Sequence, residues 1–278
     1  SQNMRYVLIS DIHSNSMILD KVLKELEKED FDEFIFLGDY ITDGQASKEV
    51  LNKIKSLGGH IIRGNRENYI LNFDETRRGF VNYDTIADTY DSLTSDDIDY
   101  IKSLKEYEML DLKGVKTLLI HGEATNYALT MEEFYDKMIE TFDFDLCLYG
   151  HTHRFDDTTY RGRRFINPGS LSQASDTPSF KYALLEIGEG ITLEKRELPV
   201  EDHFEELVEY YKNTEYYKRH LIWSTLILLL TRDAKDYPCR FIDYFETQEK
   251  DFDVTNRELF NAFYTKCFEE FMREVTPL

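Results

Sequence analysis

Only three cysteines, Cys147, Cys239 and Cys267, occur in 278 residues. They are odd in number and far apart. They form neither a disulfide framework nor a paired-cysteine metal knuckle, and a reducing cytoplasm is the expected setting. Basic residues are also scarce: 33 Lys and Arg stand against 54 Asp and Glu, a formal charge of −21. A surface that acidic repels phosphate backbones. It argues against broad, sequence-independent nucleic-acid binding while leaving room for a local positive pocket. Long apolar runs are missing too. The longest, from Leu221 to Leu230, falls well short of the roughly 20 residues a membrane helix needs. It reads as a buried helix or as one that covers a partner surface, and no membrane span is expected. No secretory signal is visible, because the apolar stretch 4–10 is short and Asp11 follows at once. There is no evident internal repeat or low-complexity tract.

What is present suffices for a folded protein. A hydrophobic fraction of 41% with 14% aromatics argues against disorder. The length allows one sizeable core, or a core domain with a smaller appendage. Ser1-Gln2-Asn3 precede Met4 and are set aside.

Apolar periodicity organises the chain. Residues 5–10 and 33–37 are continuous apolar runs that suit strands buried on both faces. Between them Met17, Ile18, Val22, Leu23 and Leu26 recur at helical spacing over 16–28. A helix over 46–57 and a short strand over 60–63 continue the alternation that marks an α/β layered fold. Residues 74–100 are rich in Asp, Tyr, Thr and Arg and weakly periodic. They read as an excursion, helical in part, lying over the sheet end, with Thr94 or Ser95 capping a helix to about 105. Strands resume over 106–112 and 116–121 around Lys113-Gly114, followed by a helix over 131–141 and a strand over 145–149. A hairpin over 157–160 and 163–167 turns at Arg161-Gly162, and strands over 180–187 and 191–198 flank Gly188-Glu189-Gly190. From Pro199 the texture changes. Residues 203–275 read as amphipathic helices without strands. The expected organisation is an α/β domain over 4–198 and an all-helical C-terminal subdomain over 199–278.

Five short segments follow directly on expected strands: Asp11-Ile12-His13, Gly38-Asp39, Gly64-Asn65-Arg66-Glu67, His121-Gly122 and Gly150-His151-Thr152-His153. In α/β sheets ligands bind just outside the carboxyl ends of the strands, so five strands deliver side chains to one edge. Mixed imidazoles and carboxylates suit Mn, Fe, Zn or Ni better than Ca, which prefers oxygen shells. Alternate residues of a strand or extended loop point the same way, so Asp-x-His and His-x-His can each face one cation or a cation pair. A single Asp39 carboxylate has oxygens enough to bridge two ions. Two cations about 3.5–4 Å apart stabilise the attacking and leaving oxygens of an in-line displacement and generate hydroxide near neutral pH.

The ordered set Asp-Ile-His, Gly-Asp, Gly-Asn-Arg-Glu, His-Gly, Gly-His-Thr-His resembles the calcineurin-like metallophosphoesterase superfamily. Ile166-Asn167-Pro168-Gly169-Ser170 is similar to its small bacterial and archaeal phosphodiesterase branch. The resemblance covers about residues 5–198. It implies a two-sheet β-sandwich flanked by helices, with a dinuclear site at one edge. Carried over, it places Asp11, His13 and His153 on one metal, Asn65, His121 and His151 on the other, and Asp39 between them. Manganese is the expected ion, with Fe, Zn, Ni or Mg as alternatives. The implied activity is hydrolysis of small-molecule phosphoesters, diesters ahead of monoesters or phosphoproteins, by hydroxide held between the cations. A non-catalytic interaction scaffold and a structural metalloprotein are the competing readings.

One position departs from the pattern. Many members carry a histidine after the Asn, thought to assist the leaving group, and here that position is Arg66. A guanidinium is always protonated and cannot act as a general acid, but it can fork onto a phosphate and stabilise developing charge. Eight of the 15 arginines (Arg63, Arg66, Arg77, Arg78, Arg154, Arg161, Arg163 and Arg164) crowd two of the motifs, which suggests that some line a phosphate pocket. His60, His203 and His220 match no ligand position and read as structural. Asp43-Gly44 reads as a turn more than a ligand, and Asn167-Pro168-Gly169-Ser170 as a turn on its chemistry alone. Glu67 fits equally a carboxylate supporting the site and the start of a helix. The tyrosine pairs at 210–211 and 216–217 read as packing residues. The helical region is expected to act as a lid, a homo-oligomer interface or a partner surface, with the environment of Trp223 deciding between them.

Overall fold

The computed structural model describes residues 2–128, 130–248 and 255–278. Two five-stranded mixed sheets lie face to face. In the first, β1 (Met4–Ile9), β2 (Glu33–Phe36) and β3 (His60–Ile61) run parallel, and the antiparallel pair formed by the later strands 179–187 and 191–199 extends the other side of β1. In the second, β4 (Tyr107–Leu112) and β5 (Val115–Ile120) form a hairpin. Next come β6 (Leu146–Leu148), parallel to β5, and the hairpin of β7 (Phe155–Tyr160) and β8 (Arg163–Pro168). The long strands β9 (Ser179–Ile187) and β10 (Ile191–Pro199) complete the first sheet.

Strand alternation divides the apolar residues between two faces. Tyr6, Leu8, Ile35 and Leu37 point into the space between the sheets, where they meet Leu119, Leu146, Leu148 and Ile166. Their neighbours Val7, Ile9 and Phe36 point outward and are covered by Ile18, Leu19 and Val22 of α1 (Ser16–Leu26) and by Val50, Leu51 and Ile54 of α2 (Ser47–Leu57). On the outer face of the second sheet, Leu118, Cys147 and Phe165 pack under Phe134, Tyr135 and Met138 of a helix at Met131–Thr141. Runs such as Val7-Leu8-Ile9 are continuous because both faces are buried.

The expected elements are present within a few residues of their expected ends. A seven-residue helix, α3 (Asn65–Leu71), begins at the third motif. The excursion holds α4 (Val81–Ser92) and α5 (Ser95–Ser103). Thr94 is the N-cap of α5: its hydroxyl accepts from the Asp97 N–H at 3.2 Å, and the Asp97 carboxylate accepts from the Thr94 N–H at 2.9 Å, a reciprocal cap. The Met131–Thr141 helix is α6. After β10 the described residues form five helices: α7 (Phe204–Lys212), α8 (Glu215–Arg219), α9 (Leu221–Asp233), α10 (Tyr237–Gln248) and α11 (Arg257–Phe271). The expectation of helix over 249–254 lies outside the described residues. The apolar run 221–230 is α9, whose Leu226 and Leu229 pack with Phe241 and Phe245 of α10 and with Phe260 and Tyr264 of α11. Among the described residues no helix is long and apolar enough to cross a membrane.

Candidate metal centre

The five motifs meet at one edge of the sandwich, each just beyond a strand: Asp11 after β1, Asp39 after β2, Asn65 after β3, His121 after β5, and His151 and His153 after β6. The sequence expectation rested on strand alternation, and here the backbone does something else. Five of the seven residues have positive φ: Asp11 55°, His13 45°, Asp39 60°, His151 71° and His153 58°. Non-glycine residues rarely adopt this region, and such strain gathers at functional sites. After β1, β2 and β6 the chain turns left-handed, which aims these five side chains into one space.

Two groups form there, Asp11 with His13 and His153, and Asp39 with His121 and His151. In the first, His153 Nε2 is 3.2 Å from Asp11 Oδ1 and 3.1 Å from His13 Nε2. In the second, His121 Nε2 is 3.1 Å from Asp39 Oδ2 and 3.3 Å from His151 Nδ1. Asp39 Oδ2 also lies 3.8 Å from His13 Nε2, which places it between the groups. The Asn65 amide oxygen lies 3.0–3.2 Å from the Asp39 oxygens, His121 Nε2 and His151 Nδ1. Ligands about 2.1 Å from a common cation are themselves roughly 3.0–3.4 Å apart, so these spacings suit metal coordination. The donor chemistry agrees. Among the described residues Asp11 Oδ1 is buried without a hydrogen-bond partner, and the amide oxygen faces acceptors only. A buried convergence of lone pairs needs a positive charge in its midst.

Five of the seven candidate ligands are held by their other polar atom, the arrangement that orients metal ligands. Asp11 Oδ2 accepts from Ser10 Oγ at 2.6 Å and from the His151 N–H at 3.0 Å. His121 Nδ1 is 2.7 Å from the Leu37 carbonyl, and His151 Nε2 is 2.8 Å from Asn126 Oδ1. Asp39 Oδ1 accepts from the Arg66 N–H at 2.9 Å. His13 Nδ1 is 3.2 Å from Asp43 Oδ2. Close approach demands two glycines: a Cβ on Gly38 would press on His121 and on Gly64, and one on Gly150 would strike Ser10 and Asp11.

Without a cation, His13 and His121 hold protons in its stead. Burial alone would lower His13, but Asp11, Asp43 and Asp39 outweigh it and push the group up to about 9. Burial likewise opposes His121, which Asp39 and Asp11 raise to about 10. His151, buried and facing His121, falls to about 4.

Two supports read from sequence only as turns, and a third, Glu67, fits two roles there equally. Asp43, read as a turn, is 1% exposed. Besides facing His13, it accepts from Arg66 Nη1 at 2.9 Å, Trp223 Nε1 at 2.8 Å and Gln173 Nε2 at 3.2 Å. Burial opposes its charge, yet Arg66 and His13 keep the carboxyl well below its usual range. Glu67 fills both roles proposed for it. It lies in the first turn of α3, and its buried carboxylate accepts from the N–H groups of Asp39, Tyr40 and Gly64 at 2.7, 3.0 and 2.8 Å. The Asn167–Ser170 turn is a brace: Asn167 Nδ2 donates to the Gly150 carbonyl at 3.1 Å, and Ser170 Oγ donates to the Asp11 carbonyl at 2.8 Å. An aspartate beside a glycine and an Asn-Pro-Gly-Ser turn carry no local signal of such partners.

Arg66 is fixed by its Nη1, which also donates to Thr42 Oγ1 at 3.0 Å. Of the eight clustered arginines, Arg66 and Arg77 line a cavity of about 750 Å³ next to Asn65. The others are engaged elsewhere, as Arg164 is with Asp157, Arg78 with Glu75 and Asp91, and Arg161 with Asp136. His60 pairs with Glu33, His220 with Asp88, and His203 lies against Phe180. Trp223 is half-buried at the edge of the site. Tyr211 and Tyr216 are buried beneath it, and the Tyr211 hydroxyl donates to the Asp43 carbonyl.

An uncharacterized protein from Methanocaldococcus jannaschii is 25% identical over 187 residues, 61% of this chain and 76% of the relative. A hypothetical protein from Pyrococcus horikoshii superposes with a TM-score of 0.61 at 17% identity, covering 79% of this chain and 97% of that one. A metallophosphoesterase from Sphaerobacter thermophilus gives 0.54 at 22% identity, covering 78% and 98%. These two structures share the fold. The family model described as the calcineurin-like phosphoesterase superfamily domain matches residues 4–190, the span that carries every strand but β10 and all five motifs, and the chain belongs to that superfamily.

Proposed function

We propose that this protein is a dinuclear metal-dependent hydrolase of phosphoesters, diesters ahead of monoesters. Asp11, His13 and His153 would hold one cation and Asn65, His121 and His151 the other, with Asp39 placed to serve both. The observation that carries the reading is the pair of lone-pair clusters sharing the Asp39 carboxylate. His151 and His153 remain partly open to solvent at the same edge. Divalent cations there would polarise phosphoryl oxygens and supply hydroxide at neutral pH. Manganese is the ion we expect first.

The chain's own contribution is position and charge. Arg66, anchored on Asp43, keeps the rest of its guanidinium on the cavity side next to Asn65. It stabilises charge on the phosphoryl group and gives no proton to the departing oxygen. Esters of acidic alcohols are therefore favoured, which is the ground for placing diesters ahead of phosphoproteins. The described helices α9, α10 and α11 line this cavity opposite α3 and α4, and we read the helical region after Pro199 as its cover.

The test is hydrolysis of a chromogenic phosphodiester and a chromogenic monoester by chelator-stripped protein, with Mn²⁺, Ni²⁺, Zn²⁺ or Mg²⁺ restored and Asp39→Asn as control. Metal-dependent turnover that the control loses is expected. Tight metal binding without turnover of either ester would refute the hydrolase reading.

A further inference from the structure

The cavity beside Asn65 is too large for a phosphoryl group alone. Its volume of about 750 Å³ falls within the range of sites that enclose a whole organic ligand. One wall is α3 and α4, the other α9, α10 and α11. The apolar lining is mainly aromatic, with Tyr69, Trp223, Phe245 and Tyr264 prominent and only Ile86 and Ile242 aliphatic. An acyl chain is served by aliphatic walls, whereas flat rings are served by aromatic ones. Asn68, Asn72 and Asn82 add amide groups to the same lining. Amides offer a donor and an acceptor together, which is what the edge of a heterocyclic base requires.

Tyr69 fixes the orientation. It lies four residues after Asn65 on α3, so the two share a helix face, about 6 Å apart along the axis. Tyr69 is 47% exposed, although its neighbour Ile70 is 1% exposed. The Arg66 guanidinium lies over the Tyr69 ring 5.8 Å from the centroid and the Tyr69 hydroxyl accepts from Asn65 Nδ2 at 3.4 Å, which sets the ring beside the metal centre with the rest of its surface exposed, whereas the ring of Tyr83 stacks on Phe73 and carries Arg77 4.2 Å from its centroid. Trp223 faces the same cavity from α9 with its indole N–H tied to Asp43, so its ring plane is fixed.

We infer that this cavity binds the nucleoside part of the substrate, with the base against Tyr69 and Trp223, and that the enzyme acts on nucleotide esters. The inference rests on the hydrolase reading above but is tested separately. Trp223 is the only tryptophan, so its emission reports on the cavity. Metal-free full-length protein is titrated with AMP and with ribose 5-phosphate, following fluorescence and heat. AMP quenches the emission saturably and binds at least tenfold more tightly than ribose 5-phosphate. Tyr69→Ala, at an exposed position, weakens AMP about tenfold. Equal affinity for the two ligands would overturn the inference, as would unchanged AMP binding in Tyr69→Ala.

A turnover measurement separates this inference from the parent reading. Thymidine 5′-(p-nitrophenyl phosphate) is compared with methyl p-nitrophenyl phosphate in Mn²⁺-loaded protein. A kcat/KM ratio of at least ten, falling about tenfold in Tyr69→Ala, supports a nucleoside site. A ratio near one, with both esters hydrolysed, removes the nucleoside site and leaves the hydrolase. Hydrolysis of neither ester overturns the hydrolase reading, and with it the claim that nucleotide esters are substrates.

Discussion

Removing the charge of Asp43 should damage stability and metal affinity together. The carboxylate is buried and joins four groups: His13, Arg66, Gln173 and Trp223. In Asp43→Ala the Arg66 guanidinium, only 21% exposed as a side chain, loses its counter-charge, and the indole N–H loses its acceptor. Stranding one member of a buried ion pair costs about 3–5 kcal/mol. Removing the group that orients a metal-binding histidine typically lowers metal affinity about 10- to 100-fold. Asp43→Asn keeps the shape and one acceptor oxygen, so about half the stability loss is expected, with a comparable affinity loss because His13 is no longer held by a charge. The sign with pH follows. The folded pKa of Asp43 is depressed, so its contribution is present above the unfolded value of about 3.9 and is lost as pH falls below it. Urea unfolding of metal-free protein at pH 7 and calorimetric Mn²⁺ titration measure the two effects. A loss under about 0.5 kcal/mol in Asp43→Ala, with unchanged Mn²⁺ affinity, would refute the view that Asp43 ties the site together.

Metal loading should expel about two protons near pH 7.5, since His13 and His121 sit near 9 and 10 without a cation and must be neutral to coordinate; titrations in buffers of different ionisation heat count them. The same raised values make metal-free protein most stable below the unfolded histidine pKa of about 6.5, with that contribution lost as pH climbs through 9 to 10; a metal-free Tm that does not fall between pH 6.5 and 10 would contradict the assignment. Gly64→Ala should weaken metal binding by about tenfold or more while the chain stays folded, because φ is an ordinary −102° and the added Cβ would strike the Asp39 carboxylate. Leu148→Ala, fully buried between the sheets, should cost about 2–5 kcal/mol in denaturant unfolding.

The layered fold was legible because strands buried on both faces leave continuous apolar runs, as in Val7-Leu8-Ile9, and because α1 and α6 are amphipathic at helical period. The candidate ligands were legible because each follows one of those runs directly. What escaped was everything that depends on residues far apart in sequence. Asp43 and Trp223 are 180 positions apart, and Ser170 reaches the Asp11 carbonyl across 159. Neither residue carries a local mark of its partner. The reason given for the Asp-x-His and His-x-His pairs was also incomplete. Alternation along a strand would place both side chains on one sheet face, whereas left-handed turns gather them beyond the strand ends at one edge of the sandwich.

That geometry explains why the helices after residue 199 bear on the site without supplying any of the seven candidate ligands. Backbone held at positive φ in Asp11, His13, Asp39, Thr42 and Asp43 is costly and persists only where surrounding contacts determine it. The Asn167–Ser170 brace and Glu67 hold the Asp11 and Asp39 loops from within the sandwich. The Thr42–Asp43 turn is held instead by Arg66 and by the later helices, through Trp223 and through the Tyr211 hydroxyl on the Asp43 carbonyl. Whatever shifts α9 must therefore act on Asp43 and, through it, on His13 and Arg66. Trp223→Phe removes the indole hydrogen bond but keeps an aromatic wall. It should lower kcat for phosphodiester hydrolysis several-fold while shifting KM little, since the loss lies in positioning Arg66. A change confined to KM would place Trp223 in ligand contact alone and break the proposed link between the helices and the metal centre.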